Sequence, residues 1–184
     1  VVAGIVDPFD AVQGKGLEQL RRAGVQVELG LLAQACQRVV RGFARAQLHG
    51  LPKVTCKVAT SLDGRIATVA GQSRWITGEP AREQGHVMRA RHDAIVVGIG
   101  TALADDPRLS CRVDQGADPV PVVLDTDLRL PSTAALLTAG APALVVCADD
   151  APERALPAEV VRVPRGDGGV DLRAALEQLA VRGL

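Results

Sequence analysis

Val54-Thr-Cys-Lys57-Val-Ala59-Thr-Ser61-Leu-Asp63-Gly-Arg65, followed by Ala94-Ile-Val-Val97-Gly-Ile-Gly100-Thr101, is the stretch on which the fold turns. Val54, Cys56 and Val58 alternate with Thr55, Lys57 and Ala59, the period of a strand with one buried face, and this points Lys57 away from the apolar side. The alternation breaks at Thr60-Ser61, where Asp63-Gly64 reads as a tight turn that Gly64 can close at positive φ. Ala94–Val97 is a short apolar run, expected as a buried strand, that enters a loop with little side-chain bulk at Gly98-Ile-Gly100. Backbone amides there could face a phosphate or a ribose.

Working outward, Val120–Leu124, Ala143–Cys147 and Val160–Val163 repeat the apolar run, each at strand length, and the last reads as an edge strand. The first of these ends in Asp125-Thr126. Strands separated by helical or loop segments imply an α/β sheet that takes ligands at its carboxyl ends. Thr77, with Glu79 and Pro80 behind it, reads as the cap of a helix running to about Arg91. Arg82, His86 and Arg89 share one face of that helix, either as a solvated charged face or as a meeting place for an anion. Asp171 caps a last helix with Leu172, Leu176 and Leu179 on one side.

Upstream, Val1–Val6 reads as a buried strand closed by Asp7-Pro8, and Leu17–Ala23 as a helix with Gly24 as its C′ residue. Val25 and Val27 form a brief strand in this reading, and residues 31–48 form one amphipathic helix on Leu32, Ala35, Val39, Phe43 and Ala46. Gly50-Leu-Pro52 then stops the helix and sets a domain boundary, giving units 1–50 and 51–184. Val1 opens directly on an apolar run, so the chain is expected to be cut from something longer.

The 21 basic residues balance 21 acidic ones, which argues against nonspecific attraction to nucleic acid or an anionic membrane. Apolar residues reach 47% but occur as short Ala, Val and Leu runs with no membrane span and no targeting peptide, so the cytoplasm is the expected location. Cys36, Cys56, Cys111 and Cys147 form no C-x-x-C pair and are expected as buried reduced thiols. His49, His86 and His92 have no metal-ligand spacing, so no metal site is expected. Gly98-x-Gly100-x-x-Leu103 lacks the third glycine of a dinucleotide fingerprint, no phosphate-binding loop of G-x-x-x-x-G-K-[ST] form occurs, and no G-x-S-x-G elbow is present.

The ordered blocks Lys57-x-Ala59-x-Ser-Leu-Asp-Gly-Arg65, Gly71-x-Ser73-x-Trp75-Ile-Thr77, Arg89-Ala90, Gly100-Thr101 and Asp105-Asp-Pro-x-Leu109-x-x-Arg112 resemble the reductase domain of the bifunctional riboflavin-biosynthesis deaminase/reductase. The resemblance implies a dihydrofolate-reductase-like fold and reduction of 5-amino-6-(5-phosphoribosylamino)uracil by NADPH to the ribitylamino product. Residue by residue it places Ala59, Trp75, Thr101, Asp105 and Thr126 on the cofactor, and Lys57, Ser73, Arg89, Leu109 and Arg112 on the phosphorylated pyrimidine substrate. It assigns no catalytic residue. Residues 1–50 resemble the C-terminal part of the family's cytidine-deaminase-like domain, whose zinc motifs would lie upstream, so zinc is expected only in that missing part. The family's Asp-Pro-Asn-Pro turn is here Asp7-Pro8-Phe9-Asp10, which exchanges a side-chain amide for a phenyl ring. After the helix at Asp171–Val181 the family supplies a strand and a Glu-Gly-Gly loop, so the reductase domain is expected to be truncated at its C-terminus and these 184 residues to turn over little by themselves. Formation of a homo-oligomer is left open. Two other readings also stay open: a related reductase of another pterin or pyrimidine, and a nucleotide-binding remnant without turnover. A phosphorylated substrate needs Arg89 and Arg112 more than either alternative does.

Overall fold

The computed structural model describes residues 1–113, 116–138 and 140–184. It divides into two compact units, Val1–Val54 with Leu176–Leu184, and Thr55–Ala175.

In the first unit β1 (Val2–Ala3) pairs in parallel with β2 (Glu28–Leu29), and α1 (Lys15–Arg22), α2 (Ala33–Val39) and α3 (Arg41–His49) complete it. Gly24 ends α1 as its glycine signal predicts: at φ 79° it donates to Arg21 O while Val25 N reaches Leu20 O, so two carbonyls orphaned at the helix end are satisfied. The other expectations here need correction. The strand at the start is two residues long and not buried, with Val1 59% and Val2 54% exposed. The second strand falls at Glu28–Leu29 rather than on Val25 and Val27. The helix expected over 31–48 is broken at Val40, whose ψ of 11° leaves the helical region, and neither half buries a residue. Val39 and Val40, both β-branched, followed by Gly42 give this point a low helix propensity, and no packed face is present to override it. Phe9 stands 42% exposed, its amide donating to Asp7 Oδ1 at 2.8 Å.

The second unit is built on a four-stranded parallel sheet in the order β3 (Ala94–Gly98), β4 (Val120–Leu124), β5 (Leu144–Ala148), β6 (Glu159–Val163). The inner strands β4 and β5 are covered on both faces, which is why their sequences are continuous apolar runs without alternation. Val122, Val123, Val145, Val146 and Cys147 are wholly buried. Each such side chain stabilises the fold by roughly 1.5–3 kcal/mol over leaving it in water. β6 lies at an edge as its short run predicts, but β3 is also an edge strand rather than a buried one, and Val96 is 43% exposed.

Ahead of the sheet comes α4 (Glu79–Arg89), capped by the backbone of Gly78 and not by the Thr77 side chain, and ending at Arg89 rather than Arg91. Between β3 and β4 lies α5 (Ile99–Asp105), and after β6 a hairpin of β7 (Arg165–Gly166) and β8 (Gly169–Val170) leads to α6 (Leu172–Val181). Asp171 caps α6 as expected, Oδ1 accepting from Arg173 N and Ala174 N at 2.8 and 3.0 Å.

The segment expected as the leading strand, 54–59, carries no strand ladder, and Val54 and Val58 are 62% and 57% exposed. Alternation states which side chains share a face but brings no partner backbone, and a strand without one has no ladder. The turn behind it does form: Gly64 sits at φ 77° with its amide on Ser61 O at 3.0 Å, and Ser61 N reaches Arg65 O at 2.9 Å. No helix among the described residues is long and apolar enough to cross a membrane.

Candidate active site

A groove of about 890 Å³ opens in the second unit where β3 and β4 end, lined by Gly98, Gly100, Thr126 and the Gly166–Gly169 hairpin. Its geometry starts from Asp125, the buried charged residue at the end of β4. Asp125 Oδ2 accepts from Leu130 N at 2.7 Å in a buried bond, and Leu128 N donates to Asp125 O at 3.1 Å. Those bonds hold a turn in which Leu128 takes φ 52°, and from it Thr126 and Arg129 reach the groove. Ala148 N donates to Thr126 O at 3.1 Å and ties the turn to β5.

The facing hairpin depends on glycine. At Gly169 φ is 144°, and a Cβ there would stand 2.9 Å from Thr126 Oγ1, so only a residue without a side chain permits this approach. No atom lies within 4 Å of where a Cβ would stand on Gly98, Gly100 or Gly168, which leaves bare backbone open to a ligand. Arg165 at the hairpin's base donates to both carboxylate oxygens of Asp150 and, through Nη2, to Asp127 Oδ1 at 3.0 Å. This pairing holds the Asp150 carboxyl below its ordinary range and raises the Arg165 guanidinium.

A second cluster forms where residues 110–112 lie along α4. Arg89 Nη1 donates to Ser110 O at 3.2 Å, Cys111 Sγ lies 3.9 Å from His86 O, and Cys111 N donates to Asp118 Oδ1 at 2.6 Å. Arg112 is thereby brought near Arg89 and His86. Burial and then the Arg112 charge lower the Arg89 pKa, against a smaller raising effect from Cys111. Burial, then Arg89, then Arg112 lower that of His86. Lys57 joins them: its Cε is 3.8 Å from where a Cβ on Gly85 would stand. Among the described residues Lys57, Arg89 and Arg112 form no ion pair. Leu109 occupies φ 56° and is buried, the whole residue being 4% exposed.

The remaining expected residues are dispersed. Ser73 and Trp75 lie on an exposed loop, Trp75 at 72%, with the Arg82 guanidinium 4.3 Å over the indole. Arg74 bridges from that loop to Asp105 at 3.3 Å. Thr101 and Asp105 are exposed, one turn apart on α5, and Ala59 is half-buried. Of the five residues expected at the cofactor, Thr126 lines the groove, and Ala59, Trp75, Thr101 and Asp105 stand outside its lining.

No group of three His, Cys, Asp or Glu among the described residues could hold a metal ion. The four cysteines are free thiols, but only Cys147 is buried; Cys56 is exposed, correcting the expectation for all of them. Burial, ahead of smaller electrostatic effects, raises the Cys147 pKa. In the first unit a groove of about 560 Å³ beside Arg41, Arg45, His49 and Lys53 contains no expected site residue. Sequence reasoning missed the hairpin wall and its arginine. Gly166-Asp-Gly-Gly169 carried a turn signal, but a turn signal gives no address in the fold.

The comparisons with known proteins agree with this architecture. Residues 52–184 match the family model described as RibD C-terminal domain. The riboflavin biosynthesis protein RibD of Bacillus amyloliquefaciens is 46% identical over 142 residues, covering 77% of this chain and 38% of that protein. The structure of a Thermotoga maritima diaminohydroxyphosphoribosylaminopyrimidine deaminase/5-amino-6-(5-phosphoribosylamino)uracil reductase superposes with a TM-score of 0.85 at 32% identity, over 99% of this chain and 50% of that one. The riboflavin biosynthesis reductase Rib7 of Saccharomyces cerevisiae superposes with a TM-score of 0.60 at 26% identity, over 80% of this chain and 66% of that one. The chain thus spans half or less of the length of its bacterial relatives. With an α/β unit on a parallel sheet, a glycine-walled groove at the strand ends and a family match across 52–184, the chain belongs to the RibD C-terminal domain family.

Proposed function

We propose that this chain carries the reductase site of a riboflavin-biosynthesis enzyme, which reduces 5-amino-6-(5-phosphoribosylamino)uracil to the ribitylamino product with NADPH. The observation that carries the reading is the Lys57, Arg89 and Arg112 corner, whose charge no carboxylate of the described residues pairs, on a chain of this family. Such a corner suits a phosphate ester, because a guanidinium meets phosphate through short charge-assisted bonds.

The groove fits a dinucleotide by its size and its bare glycine backbone, with Arg129 on its lining, while Arg165 there is already paired with Asp127 and Asp150. NADPH bound there would supply the hydride for the ribose C1 carbon. This chain's own residues bind and orient. Thr126 offers a hydroxyl at the strand end, Gly98 and Gly100 offer backbone, and Arg89 with Arg112 anchors the far phosphate end of the substrate, so positioning is the main catalytic device. Residues 1–50 we read as the end of a deaminase-like domain, with zinc belonging to a part of such an enzyme outside these residues. Binding without turnover is the competing reading. It is favoured by the exposure of Ser73 and Trp75 and by the missing ladder at 54–59.

Arg112→Ala and Arg89→Ala test the reading against substrate with and without its phosphate. Weaker binding of the phosphorylated form alone supports it. Equal losses for both forms would assign these arginines some other role.

A further inference from the structure

We propose that His86 is a third cationic ligand of the Arg89/Arg112 corner, uncharged while the corner is empty and protonated when a tetrahedral dianion enters, so that anion affinity rises as pH falls. The inference deepens the phosphate reading above and rests on it.

His86 sits one turn before Arg89 on α4, and its Nδ1 is buried with no hydrogen-bond partner among the described residues. A neutral imidazole can leave one nitrogen as an idle acceptor, whereas an imidazolium carries N–H on both and would bury a donor with nothing to receive it. Of the groups around it, Arg89 and Arg112 also oppose charging. From α4 comes Arg89, the acidic Glu79 and Glu83 of that helix being exposed. From the 110–118 segment come Arg112 and Cys111, with Asp118 engaged on Cys111 N at 2.6 Å. From the 53–60 segment comes Lys57, beside Gly85. Burial and the two arginines already hold the imidazole below its ordinary range.

A dianion against Arg89 and Arg112 offsets their two charges, which removes the repulsion at His86 and favours its protonated form. By linkage, each unit by which the bound anion raises the His86 pKa is about a tenfold gain in anion affinity. The gain is complete below the pKa of the empty site and is lost as pH rises through that of the occupied one.

Sulfate is the probe, because it stays a dianion across the range in which histidine titrates. Imidazole NMR of the chain would give the His86 pKa with and without saturating sulfate, and calorimetry the sulfate affinity between about pH 5 and 8. The expected result is a His86 pKa raised by about one unit on binding, with affinity rising about tenfold toward acid. H86Q should keep the alkaline affinity and lose the pH dependence, with H86N standing in if that variant misfolds; R112A should weaken binding at every pH. Sulfate that binds through Arg112 with a flat pH profile and an unmoved His86 would overturn the inference and leave the phosphate site standing. Sulfate that fails to bind, or binds equally to R112A, would remove the anion corner and His86's role with it.

Discussion

Replacing Asp125 tests how the strand-end turn is held. Asp125 is fully buried, and its Oδ2 is the acceptor for Leu130 N at 2.7 Å, while its Oδ1 is buried without a partner among the described residues. In Asp125→Ala the Leu130 amide loses its acceptor in a place water does not reach, which costs about 1–3 kcal/mol. The small void left behind brings the expected loss to about 2–4 kcal/mol. Asp125→Asn differs in kind: its amide oxygen can keep the Leu130 bond, and its NH2 takes the place of the orphan oxygen, so a change of less than about 1 kcal/mol is expected. Urea unfolding of the three proteins reads this directly, a 2 kcal/mol loss moving the midpoint by roughly 1 M at a slope of about 2 kcal/mol/M. Amide exchange at Leu130 should accelerate in the alanine variant alone. If Asp125→Ala unfolds with the wild-type midpoint, or Asp125→Asn falls as far as alanine, the buried bond is not what holds the turn.

Gly169→Ala should lower both stability and NADPH affinity, since its Cβ would stand 2.9 Å from Thr126 Oγ1 at a φ of 144°, and Thr126→Ala in the same chain should relieve the contact but not the backbone strain; equal melting of Gly169→Ala and wild type would contradict the packing. Arg89→Ala and Arg112→Ala should each weaken the phosphorylated substrate about tenfold to a hundredfold, the worth of a charged hydrogen bond, with NADPH affinity little changed; isothermal titration of each ligand separates the two. NADPH should quench the emission of Trp75, the single tryptophan, although the indole stands 72% exposed beside Arg82; unaltered emission at saturating NADPH, with binding shown independently, would put the loop away from the cofactor.

The parallel sheet was legible because its strands are nearly unbroken apolar runs: Val120–Leu124 can be satisfied only by cover on both faces, which implies neighbours. The same logic could not place 54–59, whose alternation specifies a face and not a partner. It overstated the helix at 31–48, where periodicity passes through Val39-Val40 without registering the loss of helical backbone there. At the site, Arg82, His86 and Arg89 could be put on one helix face from spacing alone. The arrival of Arg112 and Lys57 beside them is tertiary, since one comes from the chain after α5 and the other from the segment before α4. The glycine hairpin opposite Thr126 escaped for the same reason: its close approach is a fact about two distant segments, and neither segment states it alone.

NADPH consumption by the native gene product that carries these residues, measured with 5-amino-6-(5-phosphoribosylamino)uracil present and absent and with the product identified by mass, tests the central claim most directly. The account predicts substrate-dependent oxidation of NADPH with gain of two hydrogens in the sugar chain, largely lost in Arg112→Ala. A folded protein that binds both ligands and consumes no NADPH would contradict it.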